Sequence, residues 1–188
     1  MKAVAALVAV LAVGPTTGKD LFAPFVGGRL NTSLHVAQTR RGFCWTGSLA
    51  DSGRTDAWRC FIGNVIHDPC FSDPSKRAQR FVVCASTPWS RRVTKLVLTR
   101  RLPLGQRNPA GSPLRRAPWA IQLASGKRCL ALTGATGTIA GRGVSYGCLG
   151  GGYLLGEPRR AKPTWTIFYA AGYKARRASR VAIEEAWW

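Results

Sequence analysis

Val93-Thr94-Lys95-Leu96-Val97-Leu98-Thr99 is too short for a helix and rich in β-branched residues. Alternation along an extended chain puts Thr94, Leu96 and Leu98 on one side and Lys95 and Thr99 on the other. One side suits a core and the other suits water, which is the pattern of a half-buried strand. Residues 81–84, 119–123, 129–132, 144–146, 165–169 and 181–183 are similar short apolar runs bounded by Gly, Pro, Asn or Asp. No stretch of a dozen residues carries an apolar stripe at helical period, and residues 175–185 read as a loop followed by a strand. With 21 Gly and 11 Pro as breakers, the expectation is an all-β protein. It would be a small sandwich or barrel of two related halves, disulfide-braced, with about eight to ten short strands.

The chain has 188 residues and a formal net charge of +20, from 28 Lys and Arg against 8 Asp and Glu. Hydrophobic residues make up 46%, so the charge does not come with the apolar poverty of a disordered chain. Met1 and Lys2 precede an unbroken small and aliphatic run over residues 3–13, then Gly14-Pro15-Thr16-Thr17-Gly18. This is the layout of a secretory signal peptide, with cleavage expected after Gly18. The run is too short to span a bilayer and no second one follows, so no transmembrane segment is expected. Residues 19–39 then form an N-terminal extension, 40–103 a first β half, 104–118 a Pro/Gly/Arg-rich connection and 119–188 a second β half. The whole would be one compact domain, secreted or otherwise extracytoplasmic.

Six cysteines remain after cleavage: Cys44, Cys60, Cys70, Cys84, Cys129 and Cys148. In an oxidising compartment they form three disulfides, with 15 connectivities open in principle. Their spacing is unlike that of a zinc site, and no metal or cofactor is expected. An internal duplication narrows the choice. With Cys44 over Cys129, Cys60 falls opposite Cys148, Gly63-Asn64 opposite Gly151-Gly152, and Asp68-Pro69 beside Glu157-Pro158. Arg80-Phe81-Val82-Val83-Cys84 then lies against residues 165–170. The duplication makes Cys44–Cys60 and Cys129–Cys148 equivalent bridges and leaves Cys70 to pair with Cys84.

Cys44-Trp45-Thr46-Gly47-Ser48, Asp56-Ala57-Trp58-Arg59-Cys60, Gly63-Asn64, Asp68-Pro69-Cys70-Phe71, Trp119-Ala120-Ile121-Gln122-Leu123, Tyr146-Gly147-Cys148 and the closing Ala186-Trp187-Trp188 resemble uncharacterised secreted proteins of actinobacterial type. That resemblance implies a compartment and no activity. Ser125-Gly126-Lys127-Arg128-Cys129-Leu130, followed by Gly141, Val144, Cys148 and Gly150-Gly151, resembles one repeat of a ricin-type lectin. It implies a carbohydrate-binding domain, although Ala131 and Leu132 stand where such a repeat often carries its sugar-gripping acid.

The positive charge comes mainly from 21 Arg. Arg pairs are scattered at residues 40–41, 91–92, 100–101, 115–116, 159–160 and 176–177. Scatter of this kind argues against a dedicated groove, so no specific nucleic acid recognition is expected. The expected function is that of an exported, non-enzymatic binding or envelope-associated module. Its partner would be an anionic cell-wall polymer, a membrane surface or a glycan, and the sequence assigns no oligomeric state. Trp45, Trp58, Asn64 and Asp68 are the candidate ligand-binding residues, because aromatic and polar groups crowd a disulfide loop there. The alternative is a secreted hydrolase using His67 with Asp68 or Asp56.

Overall fold

A computed structural model describes residues 16–103 and 117–188. Most of the predicted signal peptide and of the 104–118 connection lies outside the described residues. Within them are fifteen strands and no helix. The strands are β1 Gly18–Asp20, β2 Phe25–Val26, β3 Arg29–Leu30, β4 His35–Gly47, β5 Ala57–Ile62, β6 Val65–Phe71, β7 Phe81–Cys84, β8 Arg92–Leu98, β9 Ala120–Leu123, β10 Arg128–Ala131, β11 Thr138–Ile139, β12 Arg142–Cys148, β13 Tyr153–Arg159, β14 Trp165–Ala170 and β15 Ser179–Trp187. The expected all-β, disulfide-braced fold of two halves is what forms, and each half closes as a barrel, not a sandwich.

The first barrel is a meander, β4 to β8 in order, closed by β8 against β4. An odd number of alternating strands brings first and last together parallel, and β4 and β8 pair that way. Strand β4 is long enough to serve both closing edges. Residues 35–42 pair with β8, and residues 42–47 pair with β5. Gly42 stands where the two ladders meet, and a Cβ there would lie 2.0 Å from the Phe61 carbonyl oxygen. Only glycine allows that approach of backbones at a barrel corner. In the second barrel the extra strand β9 sits between β10 and β15 and restores antiparallel pairing all round.

Apart from β9 and the short β11, the two halves correspond strand by strand, β4 to β8 with β10, β12, β13, β14 and β15. Cys44 faces Cys60, and Cys129 faces Cys148, directly across their ladders. The bridges are Cys44–Cys60, Cys70–Cys84 and Cys129–Cys148, the pairs implied by the duplication. Asp68-Pro69 reads in the sequence as the start of a turn, yet it lies inside β6. The register slips there, so that Asp68 and Pro69 together oppose Arg59, and the missing proline N–H breaks no ladder bond. Glu157-Pro158 occupies a similar irregularity of β13.

The Val93–Thr99 alternation holds in three dimensions. Leu96 is fully buried inside the first barrel with Trp58, Val82 and two disulfides, and Leu98 packs against them. Val93, on the opposite parity, is buried between the barrels. That interface contains Phe22, Phe71, Trp119 and Trp187. Ile121, Tyr146, Leu154, Trp165, Ile167 and Ile183 fill the second barrel. Part of the 19–39 extension belongs to the barrels themselves. Residues 18–20 add a parallel strand to β15, and β4 already begins at His35.

Arg54 clasps the interface from the β4–β5 loop. Its Nε and Nη2 donate to the two Asp56 carboxylate oxygens at 2.9 and 2.6 Å, and Nη1 donates to the Phe22 and Trp188 main-chain oxygens. Its guanidinium also covers Phe71 at 4.6 Å. Asp51 lies beside it, fully buried, with Arg54 Nε 3.9 Å away and neither carboxylate oxygen hydrogen-bonded among the described residues. Burial pushes its pKa up to about 7 against the pull of Arg54.

Candidate functional site

The Cys44–Cys60 bridge points into the first barrel, so the residues on either side of each cysteine point out. On β4 these are Phe43 and Trp45, and on β5 they are Arg59 and Phe61. Phe43 and Phe61 are cross-strand partners with ring centroids 5.6 Å apart. Trp45 stacks on the other side of Phe61 at 4.3 Å and an interplanar angle of 24°. Arg100, just past β8, lies over Phe43 at 4.1 Å, and Arg59 lies over Trp45 at 5.7 Å. The result is a strip in the order Arg100, Phe43, Phe61, Trp45, Arg59, its rings half-buried on the outer face of a closed sheet. Ile66, the cross-strand partner of Phe61 on β6, extends it and is 43% exposed.

The four candidate ligand residues have different places relative to this strip. Trp45 is within it. Asn64 is exposed in the β5–β6 turn at its end, where Gly63 has a φ of 61°. Asp68 is behind it, accepting hydrogen bonds from the Ser48 hydroxyl and from the Leu49 and Ala50 amides. Burial raises its pKa, opposed by those hydrogen bonds and by Arg59, whose Nη1 is 3.9 Å away. Arg59 Nη1 also donates to the Thr133 carbonyl at 3.0 Å, in the second barrel. Asp68 and Thr133 together hold Arg59 in place over Trp45. Trp58 has no part in the strip. It is 2% exposed inside the barrel, where its indole N–H donates to Ser72 Oγ at 2.9 Å.

Nothing local in the sequence marks Phe43, Phe61, Arg59 and Arg100 as neighbours. A cross-strand Cys44–Cys60 bridge is the signal that finds the first three, because its flanking residues must share the outer face. Arg100 reaches Phe43 only through the closing β4–β8 pair, which local sequence does not specify.

His67 and Asp68 occupy neighbouring positions of β6, and Asp68 is committed to the β4–β5 loop. Burial lowers the His67 pKa, and its ring makes no hydrogen bond among the described residues. Asp56 is held bidentately by Arg54. The described residues contain no group of three or more metal-ligating side chains.

The strip is one instance of how this chain accommodates its charge. Ion pairs among the described residues involve Arg54, Arg59 and Lys76 as cations. Cations over aromatic rings are more numerous, at least ten among the described residues. Phe168 is flanked by two, with Arg142 at 3.7 Å and Arg180 at 4.4 Å. With so few carboxylates available, ring faces order the arginines instead. A guanidinium lying flat on a ring keeps its charge and its N–H edge, and both remain available to an outside anion.

No protein-family model, curated protein or solved structure matches the chain.

Proposed function

We propose that this protein is an exported, non-enzymatic binding module that holds an anionic polymer along the Arg100–Phe43–Phe61–Trp45–Arg59 strip. The observation that carries this reading is the strip itself, three contiguous aromatic rings with an arginine ordered at each end. Flat apolar rings suit the C–H faces of sugar units, and guanidinium groups suit carboxylates or phosphates borne by the same chain. An acidic polysaccharide presents both. The rings sit on a closed sheet with a disulfide directly behind them, so little conformational freedom is lost on binding. Export is supported by the signal-like N-terminus and by the three disulfides. In addition, no helix among the described residues is long and apolar enough to cross a membrane.

Titration with polygalacturonate at low salt, with uncharged dextran as control, tests the reading. Polygalacturonate binds and dextran does not, and Trp45→Ala and Arg100→Gln each weaken binding about tenfold or more. Equal binding by wild type and both variants would refute it.

A further inference from the structure

A second concavity lies at one end of the first barrel, separate from the strip. It encloses about 470 Å³, within the range of small-molecule sites. Its floor is the buried pair Trp58 and Ser72, and its walls include Leu102 and Pro103. Three arginines from two neighbouring connections line it: Arg77 and Arg80 from the β6–β7 loop, and Arg101 from beyond β8.

The loop carrying Arg77 and Arg80 is a built structure. The buried Asp73 carboxylate accepts from the Ser75 amide at 3.0 Å and the Ser75 hydroxyl at 2.7 Å, and lies 3.3 Å from Lys76 Nζ. Gln79 closes the loop by donating to the Asp73 and Lys76 carbonyls at 2.7 and 2.8 Å. The two acids lining the concavity, Asp56 and Asp73, are therefore matched by Arg54 and Lys76. Arg77, Arg80 and Arg101 are left with no ion pair among the described residues, an uncompensated cluster of three charges beside an apolar wall.

We infer that this concavity is a binding site for a phosphate monoester bearing an apolar group. Three guanidiniums can share the oxygens of one dianion, and Leu102, Pro103 and the edge of Trp58 meet the apolar part.

The test follows the Trp58 indole N–H resonance, which sits at the floor. Phenyl phosphate, inorganic phosphate and benzyl alcohol are titrated separately into the oxidised, full-length protein. Phenyl phosphate saturates the shift at a concentration at least tenfold below either fragment, because only it engages both the arginines and the apolar wall. Arg80→Gln and Arg101→Gln each weaken phenyl phosphate at least fivefold. Leu102→Ser weakens phenyl phosphate while leaving inorganic phosphate unchanged. Trp45→Ala leaves all three titrations unchanged, which separates this site from the strip. Equal affinity for phenyl phosphate and inorganic phosphate, or indifference to both arginine substitutions, would overturn the inference.

Discussion

Asp51→Asn isolates the most exposed weakness in the energetics of the barrel interface. The Asp51 carboxylate is fully buried, has no hydrogen-bond partner among the described residues and sits 3.9 Å from an arginine already occupied by Asp56. Its pKa rises from an ordinary 3.8 to about 7, mainly through burial, with Asp56 and Asp68 adding smaller upward contributions. The folded state therefore holds its proton more tightly than the unfolded chain. Below about pH 4 both states are protonated and the folded protein suffers no penalty. Between pH 4 and 7 only the unfolded state ionises, and stability falls by about 1.4 kcal/mol per pH unit. Above pH 7 the loss levels off at about 4 kcal/mol, from the rise of 3.8 to about 7. Asparagine keeps the shape and cannot ionise, so Asp51→Asn removes that slope. Urea unfolding of both proteins at integral pH values from 4 to 8 gives the difference directly. The variant should match wild type near pH 4 and exceed it by a few kcal/mol at pH 8. A difference independent of pH, or a variant less stable at pH 8, would show instead that Arg54 holds Asp51 ionised against its burial.

Gly42→Ala should cost more than about 2 kcal/mol in urea unfolding, since its Cβ would fall 2.0 Å from the Phe61 carbonyl oxygen and the backbone would have to move. Replacing Cys44 and Cys60 together by alanine frees a loop closed over 16 residues and should lower stability by about 3 kcal/mol in the same assay. Arg142→Gln should leave polygalacturonate affinity within about twofold of wild type, because its ring partner Phe168 belongs to the second barrel, away from the strip.

How much of this was legible in the sequence depended on whether a feature was local. The Val93–Thr99 strand was legible because its two faces differ, Leu96 entering the barrel while Lys95 covers Phe81 at 4.5 Å. The first half of β4 was not legible, since its residues 37–41 are all exposed and carry no apolar alternation; β8 alone makes them a strand. Strand β6 was hidden by Pro69, whose bulge is visible only once Arg59 is known to oppose it. In the site, Trp45 and Asn64 could be named from their crowding beside a cysteine. Trp58 could not be separated from Trp45 by composition. One residue of parity places Trp45 outside and Trp58 within, where it forms the floor of the arginine-lined concavity. Asp68 lies behind the strip, 3.9 Å from Arg59 Nη1 and accepting from the Leu49 amide, a placement that depends on the bulge in β6.

The proposed binding requires charge and aromatic surface to act together on the first barrel. Polygalacturonate affinity of wild type and Trp45→Ala, measured by calorimetry from ~0.05 to ~0.5 M salt, tests it most directly, since the Debye length falls to ~4 Å at the upper end. Wild-type affinity should decline with salt but remain measurable at ~0.5 M, while Trp45→Ala should be weaker throughout and lose binding there. Coincident salt curves for the two proteins would show that net charge alone attracts the polymer, and would contradict a role for the strip.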